Sequence, residues 1–128
     1  LSRGVVPTII PHLSWGDYQE FIAGVDAGFV LMDTPHPSYP PLDLAAAGAA
    51  VLTNIHPGKE SLSDYSHNIL SAPLSIPGLV EGLKRLESLA ENDQARAENR
   101  KNDGIARDWN ATLENVVTQI AARLQAVV

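Results

Sequence analysis

Four prolines in seven residues, Pro35, Pro37, Pro40 and Pro41, break an apolar stretch of the chain directly after Ala27-Gly28-Phe29-Val30-Leu31-Met32. Each proline removes a backbone N–H and holds φ at about −65°, so regular hydrogen-bonded structure is not expected between Pro35 and Pro41. A helix can begin where the prolines end, because a first-turn N–H has no intrahelical acceptor and Pro41 loses nothing there. Leu42 to Ala47 then read as that helix and Gly48 as its stop. Ala50-Val51-Leu52-Thr53 read as a second apolar strand. Strand, rigid loop, short helix and strand make a βαβ unit, whose strands should run parallel with a right-handed crossover.

The flanking segments extend this pattern. Val5-Val6-Pro7-Thr8-Ile9-Ile10 is apolar and β-branched, as in a strand, with Pro7 placing it at an edge or a strand start. Ser14 and Asp17 resemble a capping pair ahead of Tyr18, Phe21, Ile22 and Val25, which share one helical face. Ala27 to Met32 is expected to be buried on both sides, as in a central parallel strand. Ile55 to Asn68 is polar and rich in turn formers, and Asn68 to Ser71 can supply a last short strand. Ser75 should cap a helix that turns Leu79, Val80, Leu83, Leu86 and Leu89 inward. Asp93 to Lys101 reads as a solvated helix, and Trp109, Leu113, Val116, Val117, Ile120 and Leu124 mark a long C-terminal one. The expected fold is α/β, a Rossmann-like doubly wound parallel sheet.

With 128 residues, 45% of them apolar, one compact domain is the expected size. No apolar run approaches the roughly 20 residues needed to cross a bilayer, and no signal peptide stands at the start, so the chain is expected to be soluble. The opening Leu1-Ser2-Arg3-Gly4 reads as an internal boundary of a larger parent. The absence of cysteine removes disulfides, thiolate metal sites and a cysteine nucleophile. A net charge of −6 disfavours nucleic acid or anionic lipid as a partner.

In open α/β sheets, ligands collect outside the carboxyl ends of the strands. His36-Pro37-Ser38-Tyr39-Pro40-Pro41-Leu42-Asp43 occupies that place. The prolines limit the entropy lost on binding, and the helix dipole favours a diphosphate near Tyr39 to Leu42. Asp43, expected in the first helical turn, has the chemistry to accept hydrogen bonds from ribose hydroxyls. An acidic residue there is also favourable on dipole grounds alone.

The order of strand, proline loop, Pro41-Leu42-Asp43-Leu44-Ala45-Ala46-Ala47-Gly48 and Ala50-Val51-Leu52-Thr53-Asn54 resembles a family signature. It is the P-x-L-E-A-M-A-x-G-x-P-V-V motif in the C-terminal domain of bacterial GT-B retaining glycosyltransferases. The string Pro35 to Leu42 is most similar to the rhamnosyltransferase branch that builds rhamnan and surface-layer glycans, and Trp109 resembles a tryptophan that often opens the family's last helix. The resemblance, spanning about Ile9 to Ile120, implies a nucleotide-sugar site, with dTDP-rhamnose as donor in that branch. It implies Asp43 in the place of the family's second acidic residue, which holds the ribose. Tyr39, Pro40, Pro41 and Leu42 would surround diphosphate and sugar, with Ser38, His36 and His12 as further candidates. The first acidic residue of the family's pair is absent, because Pro35 stands eight positions before Asp43. The family's arginine and lysine near its first strands are also missing, apart from Arg3.

The same resemblance implies a cytoplasmic two-domain enzyme of polysaccharide synthesis, whose N-terminal domain brings the glycan acceptor. No cofactor or metal is expected, and no catalytic residue is assigned in this chain. The last helix would cross to the N-terminal domain, or more simply pack on this domain's own sheet. His12, His36, His56 and His67 lack metal-ligand spacing. His56 and Lys59 lie on the same expected edge as Asp43 and could line the site, with solvated loop residues as the simpler reading. Ser61, Ser63 and Ser66 lack the strand-to-helix context of a hydrolase nucleophile. A non-catalytic interaction or scaffold domain is the competing reading.

Overall fold

The computed structural model describes Gly4 and residues 6–125. Its three strands are β1 (Ala27–Val30), β2 (Ala50–Asn54) and β3 (Ile69–Ala72). They form one sheet in the order β1-β2-β3, and both pairs are parallel, as the βαβ reading requires. In register Ala27 faces Ala50 and Val51 faces Ile69, so β2 is paired on both sides and fully buried.

Helices cover both faces of β2. α1 (Trp15–Ala23) and α2 (Tyr39–Ala47) contribute Ile22, Leu44 and Ala45 to a core with Val51, Ile69 and Leu62. Leu52 and Ala50 project the opposite way and meet α3 (Ile76–Ala90) through Leu86. The start of α1 follows from its sequence: the Ser14 Oγ accepts from the Asp17 N–H at 3.2 Å and donates to the Asp17 carboxylate at 2.6 Å. Gly48 ends α2 at φ 109°, where a side chain would clash.

Five expectations are corrected. Val5 lies outside the described residues, and Val6 to Ile10 form no strand; Ile9 is 89% exposed. Pro7 withholds a ladder donor inside this segment, and Pro11 withholds another directly after it. Ala27 to Met32 is an edge strand only four residues long, with Phe29 and Leu31 half exposed, because β2 pairs it on one side only. α2 begins at Tyr39 instead of Leu42, since both Pro40 and Pro41 fit in a first helical turn. In α3, Val80 and Leu83 face solvent, while Leu79, Gly82, Leu86 and Leu89 face the sheet. Gly82 lets the helix lie close: a Cβ there would stand 2.9 Å from Leu52 Cδ1 and 3.0 Å from Ala72 Cβ.

The last correction concerns α5 (Trp109–Gln125), which buries none of its residues and does not pack on the sheet. α4 (Asp93–Lys101) is solvated as expected, yet it ties down the amino ends of the strands. The Arg96 guanidinium donates to the Asp26 carbonyl at 3.1 Å and its carboxylate at 3.3 Å. Buried Asn68, before β3, donates to the Arg96 carbonyl and accepts from Asn99.

Candidate functional site

At the carboxyl edge of the sheet, Asn54 sets the path of the chain. Its amide oxygen accepts from the Met32 N–H at 2.7 Å, and its amide nitrogen donates to the Met32 carbonyl at 2.9 Å. The side chain, 1% exposed, thus extends β1–β2 pairing two residues past Val30 and determines where the proline loop leaves the sheet.

Within the loop, the Ser38 N–H donates to His36 Nδ1 at 3.0 Å, which makes the other ring nitrogen of a neutral His36 its donor. The His36 and Tyr39 rings lie 6.5 Å apart, and Tyr39 is largely exposed. Ser38, the N-cap of α2, sits at φ 69° and ψ 152°, a region that favours glycine, and its hydroxyl caps nothing. Ser38→Gly should raise stability by about 1 kcal/mol, the strain relieved less the extra freedom of the unfolded chain, as read from urea unfolding.

The opening of α2 offers few donors. Of its four N-terminal backbone positions, Pro40 and Pro41 have no N–H and that of Ser38 is engaged by His36, which leaves Tyr39. The dipole remains, but a cradle of several N–H groups does not. Pro41 is fully buried and Leu42 packs against the core, so these two shape the site from beneath.

Because α2 starts at Tyr39, Asp43 falls in its second turn, a correction to the first-turn expectation. There it faces α1. The Tyr18 hydroxyl donates to Asp43 Oδ2 at 3.3 Å, in a cleft of about 280 Å³ also lined by Trp15, Gln19 and Arg107. Burial, and then the neighbouring Asp43 carboxylate, push the Tyr18 hydroxyl above its ordinary pKa. A carboxylate has lone pairs for several donors, so Asp43 can still accept from a ligand hydroxyl. Arg107 is held by Asp103 through two bonds of 2.6 Å. His12 is exposed and lines a neighbouring cleft that shares Trp15 and Tyr18 with this one.

Asp43 and His12 therefore line adjacent clefts, whereas His36, Ser38 and Tyr39 sit on the loop at the start of α2. Sequence reasoning missed two residues and preferred the wrong reading of a third. Tyr18 looked like one more apolar-face residue of α1, and Asn54 like the polar end of a strand. Lys59 is not solvated: it is 4% exposed, and its ammonium has no hydrogen-bond partner among the described residues. His56 is partly exposed, closer to its reading as a loop residue.

Residues 1–84 match the family described as WsaF, C-terminal domain. The chain belongs to this family. That assignment places it among glycosyltransferase C-terminal domains, in agreement with the resemblance carried by the proline loop. The WsaF C-terminal domain match spans the loop, all three strands and the first half of α3. The chain is also similar to an O-antigen biosynthesis protein, RfbC, of Myxococcus xanthus, at 34% identity over 95 residues. That alignment covers 72% of this chain but 7% of the relative's length. No solved structure matches the chain. Among the described residues, no group of three acidic or histidine side chains could hold a metal ion, and no helix is long and apolar enough to cross a membrane.

Proposed function

We propose that this WsaF C-terminal domain binds the nucleotide-sugar donor of a GT-B glycosyltransferase in surface polysaccharide synthesis, with dTDP-rhamnose as the donor. The observation that carries the reading is Asp43, partly buried beside the Tyr18 hydroxyl on the helix that opens from the proline loop. In this reading Asp43 accepts from the ribose, Tyr18 orients its carboxylate, and exposed Tyr39 and His36 meet the diphosphate and sugar. Pro41 and Leu42 act by holding the loop, and His12 closes the α1 side. The whole chain serves as one donor-binding domain of a larger two-domain enzyme, in which a second domain brings the glycan acceptor and completes the reacting centre. Binding here is then necessary for transfer and insufficient for it.

Calorimetric titration with dTDP, dTDP-rhamnose, UDP-glucose and GDP-mannose tests this. The expected result is saturable, dTDP-selective binding that Asp43→Ala weakens by about 10-fold or more, the usual scale for losing a hydrogen bond to a charged group. Tyr18→Phe should weaken it less, because the carboxylate survives. Binding that ignores Asp43→Ala would sink the assignment of the ribose site, and equal binding of all four nucleotides would sink the donor. A second reading, a non-catalytic interaction domain, draws on α5, whose Trp109, Val117, Ile120 and Leu124 are all exposed. It predicts no nucleotide binding by the domain, whether isolated or within its parent.

A further inference from the structure

Between Arg3 and Lys59 the chain contains no lysine or arginine. Beyond Lys59, Arg107 lines the Asp43 cleft but is held there by Asp103, and the other described cations lie away from the proline loop. Lys84 and Arg85 are on the solvent side of α3, and Arg96, Arg100, Lys101 and Arg107 line a cleft with Asp26 and Gly48, at the amino ends of the strands. Among the described residues Lys59 is therefore the one lysine or arginine that follows directly on the carboxyl end of a strand.

Its surroundings are built. His56-Pro57-Gly58-Lys59 forms a tight turn closed by two backbone bonds, His56 N–H to the Lys59 carbonyl at 3.1 Å and Lys59 N–H to the His56 carbonyl at 2.7 Å. Gly58 takes φ 82°, the conformation such a turn requires after proline. The turn packs on the proline loop, since a Cβ on Gly58 would stand 3.5 Å from Pro35 Cβ. Three residues on, Leu62 enters the core beside Leu44 and Ala45 of α2. The turn that carries Lys59 is thus held against the proline loop, and the chain that follows it enters the core on the α2 side of the sheet.

A buried ammonium without a partner is costly, and a residue needed only for packing would be apolar. Among the described residues no carboxylate pairs with it, and burial pushes its pKa down. A second buried polar atom without a partner, the Thr53 hydroxyl, lies at the same end of β2. The start of α2 has meanwhile lost most of its own N–H donors to proline and to His36. An anion at the loop therefore needs a cation from another element, and the turn after β2 carries one.

We infer that Lys59 is the diphosphate-binding cation of this domain, supplied by the turn after β2. The inference rests on the nucleotide-sugar reading for the identity of the ligand, but not for the presence of an anion site. A phosphate oxygen gives the ammonium the acceptor it lacks, and the charges of lysine and diphosphate offset one another out of water.

The test compares the full chain with its Lys59→Met variant, by titration with dTDP and with inorganic pyrophosphate and by thermal unfolding without ligand. Met matches the length of the lysine stem and removes the unpaired charge. The expected result is an unfolding midpoint that holds or rises by roughly 4 °C, together with loss of pyrophosphate binding and a drop of about 10-fold or more in dTDP affinity. A lower midpoint with unchanged dTDP affinity would make Lys59 a packing residue and overturn the inference. Lys59→Gln, which keeps a donor without the charge, gives the same comparison if Met disturbs the turn. dTDP binding that depends on Asp43 but not on Lys59 refutes the inference and leaves the donor reading standing. Lys59-dependent pyrophosphate binding without nucleotide selectivity does the reverse. Absence of binding to either probe counts against both.

Discussion

Gly82→Val should destabilise the domain by about 3 kcal/mol, the upper end of what overpacking a core usually costs. The reason lies in the contact between α3 and the sheet. A Cβ at position 82 already stands 2.9 Å from Leu52 Cδ1 and 3.0 Å from Ala72 Cβ, and a β-branched side chain adds two methyl groups to the same space. Leu52 and Ala72 are buried, so they have little room to yield. Gly82→Ala should cost less, about 1 kcal/mol, because a gain in helix propensity of about 1 kcal/mol offsets part of the crowding against both Leu52 methyls and the Ala72 Cβ. Leu52→Ala alone should cost about 3 kcal/mol through the cavity it leaves. Combined with Gly82→Val it should cost less than the sum, since the valine fills part of that cavity. Urea unfolding of the four variants measures all of these, and strict additivity would show that α3 does not meet β2 at Gly82.

The second large effect is expected at Asn54. Asn54→Ala leaves both the N–H and the carbonyl of Met32 without their partner, which should cost about 2 kcal/mol with water able to reach part of the gap. It should also speed amide exchange across residues 31–38 and weaken dTDP binding, because the proline loop loses its anchor. Asn54→Asp separates the two bonds. The new carboxylate can accept from the Met32 N–H but opposes the Met32 carbonyl, so the variant should be less stable than Asn54→Ala at neutral pH. Burial raises the pKa of such a carboxyl, and the protonated form can donate to the carbonyl. Its stability should therefore recover as pH falls through that raised pKa and be lost again as pH rises. A flat pH profile for Asn54→Asp would contradict the clamp.

Much of the centre of this fold is legible in the sequence. The apolar runs that hold β1 and β2, the glycine that stops α2 and the prolines between them each obey local rules, and their order requires parallel strands. What was not legible depends on neighbours. Val6 to Ile10 has strand composition, but composition cannot supply a pairing partner, and two prolines weaken the edge it would offer. Phe29 and Leu31 look like core residues until β1 proves to be paired on one side only. Leu79, Val80, Leu83, Leu86 and Leu89 read as one inward face of α3, yet Gly82 takes a place on that face while Val80 and Leu83 turn out.

The site divides in the same way. The loop and Asp43 stand out by residue type and spacing, and both lie within the stretch that the family match spans. The turn of α2 on which Asp43 falls did not, because two consecutive prolines allow a helix to start before, between or after them. The partnership of Tyr18 with Asp43 bridges 25 positions and leaves no local trace. For Lys59 the solvated reading was preferred over a place at the site edge because lysine usually is solvated; a proline-glycine turn buries it instead. The run without a cation from Gly4 to Gly58 was the available signal, and it becomes meaningful once Lys59 is seen to be buried.

The most direct measurement is amide hydrogen exchange of the full chain with and without saturating dTDP-rhamnose. A donor site built from the proline loop, α2 and the turn after β2 predicts slowed exchange in residues 33–43 and 55–60, with α4 and the amino ends of the strands unchanged. Slowing confined to α4 or α5, or none at a donor concentration that saturates binding, would contradict it.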